Sequence, residues 1–254
     1  MSQLLRHPAI LFVLLLVLLA SATAAGSLVL RRIRPIADEG REDFAIVQGA
    51  TLTLLALLIG FTLSMAVGRY DQRKNLEEEE ANAIGTEYLR ADLMDPEGGD
   101  KARKLLARYL EQRIRYYRAH GEADLQEINS ATAQLEDEMW KVVRDAALKT
   151  PNPVTALAVG GMNDVINSQG YAEAAWRNRI PVAAWGLMIA IALLSSVMQG
   201  YGARTAPARI GLLLILPLTV ALSLALIADV DSPRGGLIRV APQNLLSLQD
   251  SLGR

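Results

Sequence analysis

Four stretches of this chain carry no Asp, Glu, Lys or Arg and are long enough to cross a lipid bilayer. They run from Ala9 to Leu30, Phe44 to Gly68, Ile180 to Ala203 and Ile210 to Ala228. A helix rises about 1.5 Å per residue, so about 20 apolar residues cross the hydrocarbon core. Gln48 is the only strongly polar side chain of the second run. The third starts at Pro181, a favourable first-turn residue, and has Trp185 and Tyr201 near its ends, where aromatic rings favour the interface. The fourth is short and holds Pro217, which should kink it. The fold class expected is an all-α membrane protein. Four transmembrane helices frame a helical cytoplasmic bundle inserted between spans 2 and 3.

The expected organisation is a transmembrane hairpin over residues 1–70, a soluble helical bundle over 71–179, a second hairpin over 180–228 and a tail over 229–254. The first run has a rival reading as a cleaved leader. Arg6 would then be its charged start and Ala22-Thr23-Ala24 its small-residue cleavage site. Apolar character resumes through Leu28, Val29 and Leu30, which favours a retained span. Four spans put both termini and the bundle on one side. Arg6, Arg69, Arg73, Lys74, Arg177, Arg179, Arg234 and Arg239 flank that side. Arg31, Arg32, Arg34, Arg41, Arg204 and Arg209 flank the other. Loop charge is too balanced to fix orientation.

The polar insert has helical periodicity. Residues 71 to 93 should continue the second span as a helix, broken at Pro96, Gly98 and Gly99. Lys101 to Ala119 carries Leu106, Tyr109, Leu110, Ile114 and Tyr117 on one face. Leu125, Ile128, Thr132, Leu135, Met139, Val142 and Ala146 then alternate spacings of three and four, a heptad seam. That seam can pack within the chain or against a partner. Thr150-Pro151-Asn152-Pro153 should end this helix, and a last one should run from Val154 to Asn178.

The chain has 254 residues, a net charge of −1, no Cys and only two His, His7 and His120. This balance gives no field for nucleic acid and no basis for a thiolate or His-rich metal site. No phosphate loop, HExxH or nucleophile elbow is present. The spans hold no ionisable group, which argues against a membrane enzyme or an ion-coupled pump. No catalytic residue, cofactor or metal is expected. Asp229-Val230-Asp231-Ser232-Pro233-Arg234-Gly235 begins like a calcium loop, but Val240 stands where the bidentate Glu belongs. A helix end and turn is the reading, with Asp229 and Asp231 pairing with Arg234 or Arg239. Glu77 to Glu80 reads as a solvated helix face, with a vestibule charge ring in an oligomer as the functional alternative.

The second span carries two stripes. Ala56, Gly60, Ser64 and Gly68 repeat every four residues, a small-residue face that lets another helix approach. Thr53, Leu57, Phe61 and Met65 form an adjacent face of larger, mostly apolar groups. Ordinary helix packing with lipid contact is one reading. The sharper one packs the small stripe between subunits and lines a dewetting constriction with the large one.

Three segments resemble the signature of the bacterial bestrophin-like domain family. They are Gly60 to Arg73 (GFTLSMAVGRYDQR), Glu80 to Leu93 (EANAIGTEYLRADL) and Asp229 to Val240 (DVDSPRGGLIRV). The resemblance marks Arg69, Tyr70, Asp71, Glu80, Asn82 and Gly85 after the span, and Asp229, Asp231, Pro233, Arg234 and Arg239 near the C-terminus. A more distant likeness to bestrophins, pentameric anion channels, rests on Gly60, Phe61, Arg69 and Tyr70. It implies a channel neck at Thr53, Leu57 and Phe61, and cytoplasmic termini in the inner membrane. The expectation is a homo-oligomeric ion channel whose second span lines the pore. Its partners would be the bilayer, copies of itself and an ion. The alternative is a non-conducting scaffold or signalling protein whose bundle binds a partner.

Overall fold

A computed structural model describes residues 8–33, 36–203 and 210–253. Arg6, Arg34, Arg204 and Arg209, used in the loop charge balance, lie outside the described residues, as does the start of the alternative leader. Helix α1 runs Pro8–Ala25, passes through a π-helical turn Gly26–Leu30 and closes with the single turn α2, Arg31–Ile33. Helix α3, Arg41–Arg90, is one continuous helix of 50 residues. It takes in the second span and the predicted extension, and ends in a 3-10 turn, Ala91–Leu93. Helices α4 (Pro96–Arg118), α5 (Glu122–Lys149) and α6 (Pro153–Arg177) follow. Then come α7 (Val182–Gly202), α8 (Ile210–Asp231) and α9 (Gln243–Leu252). The described residues contain no strand. Four helical stretches are long and apolar enough to cross a membrane.

The chain divides into two compact units. One holds residues 8–68 and 179–239. Here α1 packs on both α7 and α8, burying Leu11, Leu15 and Leu19. The close approach depends on two reciprocal glycines. A Cβ on Gly200 would strike the Thr23 carbonyl oxygen, and one on Gly26 would strike that of Val197. Small residues of this kind let helix backbones meet in lipid, where no hydrophobic effect drives association. Asp38–Gly40 forms a 3-10 turn before α3, and the Phe44 ring meets Tyr201 edge-on at 5.5 Å.

The second unit holds residues 69–178 and 240–254. Its core gathers Ile84 from α3, with Leu106, Tyr109 and Leu110 from α4, Leu135 and Met139 from α5, and Met162 and Val165 from α6. The heptad seam faces inward. Ile128, Thr132, Leu135, Met139, Val142 and Ala146 are all buried, and Leu125 is packed against the core. An intermolecular seam is therefore corrected: the apolar face is already used by the chain's own α4 and α6. The break after α3 is also shorter than expected. Pro96 is the first-turn residue of α4 and Gly98 and Gly99 lie inside that helix. A proline costs nothing at a helix start, where its missing N–H would be unpaired anyway. Gly99 is needed because a Cβ there would meet the Ala91 carbonyl oxygen. Asn152 opens α6 with a capping box, its side chain accepting from the backbone N–H of Val154 and Thr155.

The C-terminal tail is not a bare tail. Helix α9 packs on α4, and Leu245 is fully buried.

Candidate functional site

The second span presents its two sequence stripes outward. Thr53, Leu57, Phe61 and Met65 are exposed, as are Ala56, Gly60, Ser64 and Gly68. The inward face instead uses Leu55, Thr62 and Ala66. Phe61 is 69% exposed. Added Cβ atoms on Gly60 and Gly68 would meet nothing within 4 Å. The Thr53 hydroxyl donates to the Gly49 carbonyl at 2.9 Å, so its donor is spent on the helix and the stripe is mostly apolar. Thr62 does the same to Leu58. Helical spacing makes both faces legible in the sequence. A tight helix contact falls elsewhere, on Gly26 of the π-helical turn after α1 and Gly200 of α7.

In the bundle, the residues after the span are divided by helix periodicity. Arg73, Glu77, Glu80, Ile84 and Glu87 recur at steps of three and four and are buried. Asp71, Glu78, Glu79 and Asn82 are exposed, while Arg69 and Tyr70 are half-buried. The solvated reading of Glu77 to Glu80 is thus corrected for two of its four members. Glu77 accepts from the backbone N–H groups of Asn244 and Leu245, each at 3.0 Å, and from the Asn244 side chain at 2.6 Å. It caps the start of α9, where a carboxylate complements the orphan N–H groups and the helix dipole. Arg73 does the opposite at the end of α6, donating to the carbonyls of Ala175 and Asn178. Opposite charges one turn apart on α3 therefore serve opposite helix ends. Gly85 lets Leu248 of α9 pack close, since a Cβ there would lie 3.1 Å from its side chain.

Glu80 makes an ion pair with Arg113, and both are fully buried. The Tyr117 hydroxyl donates to the other Glu80 oxygen at 3.0 Å. The Arg113 guanidinium also lies over the Tyr116 ring, 4.5 Å from its centre. Burial drives the Tyr117 and Tyr109 hydroxyls far above their ordinary range. Glu87, one turn before the end of α3, is buried and neither oxygen has a hydrogen-bond partner among the described residues. Burial pushes its carboxyl up to about 8, with Arg90 opposing and Asp164 reinforcing. Gly161 makes room for it, because a Cβ there would land on Glu87 and Arg90.

The Asp229 motif ties down the end of α8. The two Asp229 oxygens accept the backbone N–H groups of Leu237 at 2.7 Å and Ile238 at 3.1 Å. Asp231 accepts the Ile180 N–H at 3.2 Å. The expected pairing of Asp229 with Arg234 or Arg239 is corrected: its lone pairs go to the returning backbone. Arg239 donates from Nε to the Gly236 carbonyl. Pro233 sits in the turn between. Gly236 has φ +86, a left-handed conformation that suits glycine, and a Cβ there would strike Asp229. Two carboxylates at a helix C-terminus oppose its dipole, and these backbone hydrogen bonds help to offset that.

The family model for the Bestrophin-like domain matches residues 8–245. The chain belongs to the Bestrophin-like domain family. Among solved structures, it is similar to a bacterial bestrophin homologue from Klebsiella pneumoniae in two point-mutant forms. One has TM-score 0.69 at 12% identity and the other 0.68 at 12% identity. In each, the match covers 95% of this chain and 97% of that one. A structure of the same homologue phased on zinc matches with TM-score 0.64 at 14% identity, covering 96% of this chain and 95% of the other. At this identity the likeness shows the fold. No curated protein matches the sequence. This Bestrophin-like protein is a membrane protein: its four apolar helices and its family agree on that.

Proposed function

We propose that this Bestrophin-like protein is a homo-oligomeric ion channel of the inner membrane, with cytoplasmic termini and a pore lined by the second span. The observation that carries the reading is the outward face of α3. Thr53, Leu57, Phe61 and Met65 form a continuous, mostly apolar stripe that is exposed among the described residues, flanked by a stripe of small residues. Small residues allow copies to pack backbone to backbone. A ring of Leu57 and Phe61 would then narrow an axial pore and gate it by dewetting. Family membership and the shared fold support the same reading. No step needs an enzyme's catalytic group, a cofactor or a metal.

The rival in which the bundle recruits a partner through the heptad seam loses its surface, because the seam is the bundle's own core. The channel reading is tested by reconstituting the purified protein in planar bilayers under asymmetric salt. Wild type should conduct, and Phe61→Ala and Leu57→Ala should conduct more. Silence in all three forms, or a monomer in detergent, would sink the proposal.

A further inference from the structure

The bundle contains a polar hub that a pore in the second span does not use. Four helices each send one charged side chain to it. They are Glu80 from α3, Arg113 from α4, Glu136 from α5 and Glu173 from α6. Arg113 donates from Nε to Glu80, and its Nη1 lies 3.4 Å from Glu173 Oε1. The Tyr109 hydroxyl donates to Glu136 at 3.4 Å, and Gln169 donates to Glu173. Arg177 approaches Glu173 at 3.6 Å but is largely exposed. Glu77, the other buried carboxylate of α3 here, is taken up by the start of α9.

One buried guanidinium thus faces three carboxylates. With all three ionised, the hub would hold surplus negative charge in a site only partly open to water, and like charges gathered in one site disfavour full ionisation. A proton relieves the surplus. Glu136 is where it would settle, because a tyrosine hydroxyl is its hydrogen-bond partner while Glu80 and Glu173 hold the guanidinium. Burial pushes the Glu136 carboxyl up to about 7; Arg113 and the hydrogen bond from Tyr109 oppose this, and Glu173 and Glu80 reinforce it.

We propose that Glu80, Glu136 and Glu173, gathered round Arg113, form a proton-binding hub through which the packing of the bundle responds to pH. The folded bundle binds this proton more tightly than the unfolded chain does. The stabilisation is therefore full below the ordinary carboxyl range and is lost as pH rises through about 7. Above that, repulsion between Glu136 and Glu173 works against the packing of α5 on α6.

The test is thermal unfolding of the full-length protein in detergent, followed by far-UV circular dichroism from about pH 6 to about pH 8.5. The wild-type midpoint should fall as pH rises. Glu87 adds a slope of the same sign, so the deciding quantity is the difference between variants. E136Q should lose a clear part of the slope, whereas E138Q, exposed on the same helix, should keep all of it. E173Q removes a like charge and should move the Glu136 contribution to lower pH. Unchanged profiles in E136Q and E173Q would overturn the proposal, and if E136Q does not fold, an unchanged profile in E173Q does so alone. The readout is packing rather than current, so it stands or falls separately from the channel reading.

Discussion

The buried pair of Glu80 and Arg113 gives the sharpest energetic expectation. Both side chains are fully buried, and the carboxylate serves Arg113 and Tyr117 at once. In Glu80→Gln the shape is kept and the charge is lost. Arg113 then keeps the weaker contact with the partly exposed Glu173 at 3.4 Å, and its Nη2 already has no hydrogen-bond partner among the described residues. Removing one partner of a buried pair costs about 3–5 kcal/mol, because the other charge stays behind uncompensated. For a domain of this size, 1 kcal/mol moves the midpoint by roughly 4 °C, so the Tm should drop by roughly 12–20 °C. Arg113→Met should cost a similar amount, since it leaves the fully buried Glu80 carboxylate without its cation. The double variant Glu80→Gln/Arg113→Met removes both charges with the same two substitutions. It should be at least ~2 kcal/mol more stable than the sum of the single losses, as directly coupled pairs are. Urea unfolding followed through Trp176, which stacks edge-on against Tyr116 and Tyr117, reads the cycle. Additivity within ~0.5 kcal/mol, or a loss below ~1 kcal/mol in Glu80→Gln, would refute the reasoning.

Three further outcomes follow from the packing. Glu77→Ala strips the start of α9 of its cap, costing about 1.5–3 kcal/mol for the charged hydrogen bonds, and limited proteolysis should then cut within residues 243–252 while the rest of the chain resists. Gly200→Val drives a side chain into the Thr23 carbonyl and should destabilise the fold by about 1–3 kcal/mol of overpacking or more, read as a lower unfolding midpoint; Gly60→Val, whose Cβ would meet nothing within 4 Å among the described residues, should leave monomer stability intact and act on the oligomer seen by size-exclusion chromatography.

The unequal legibility of these sites has a physical cause. Glu77 to Glu80 looked solvated because consecutive carboxylates point round a helix, and sequence alone does not say which of them meet a neighbour. The signal was spacing: Arg73, Glu77, Glu80, Ile84 and Glu87 recur at steps of three and four and so share one face of α3, the buried one. Arg113 offered a second signal, since it falls among Leu106, Tyr109, Leu110, Ile114 and Tyr117 on the inward face of α4. Helix α9 was missed because it is short and borrows its stability from α4 and from Glu77.

The sequence by itself determined the four apolar spans, the long helix leaving the second, the heptad seam of α5 and the two stripes of the second span. Each depends on length or periodicity along one helix, which are local properties. Tertiary structure alone decided which carboxylates are buried, which glycines bring α1 against α7, and where the oxygens of Asp229 and Asp231 go. Those depend on what stands opposite, and residues as far apart as Glu77 and Leu245 become neighbours only once the chain has folded.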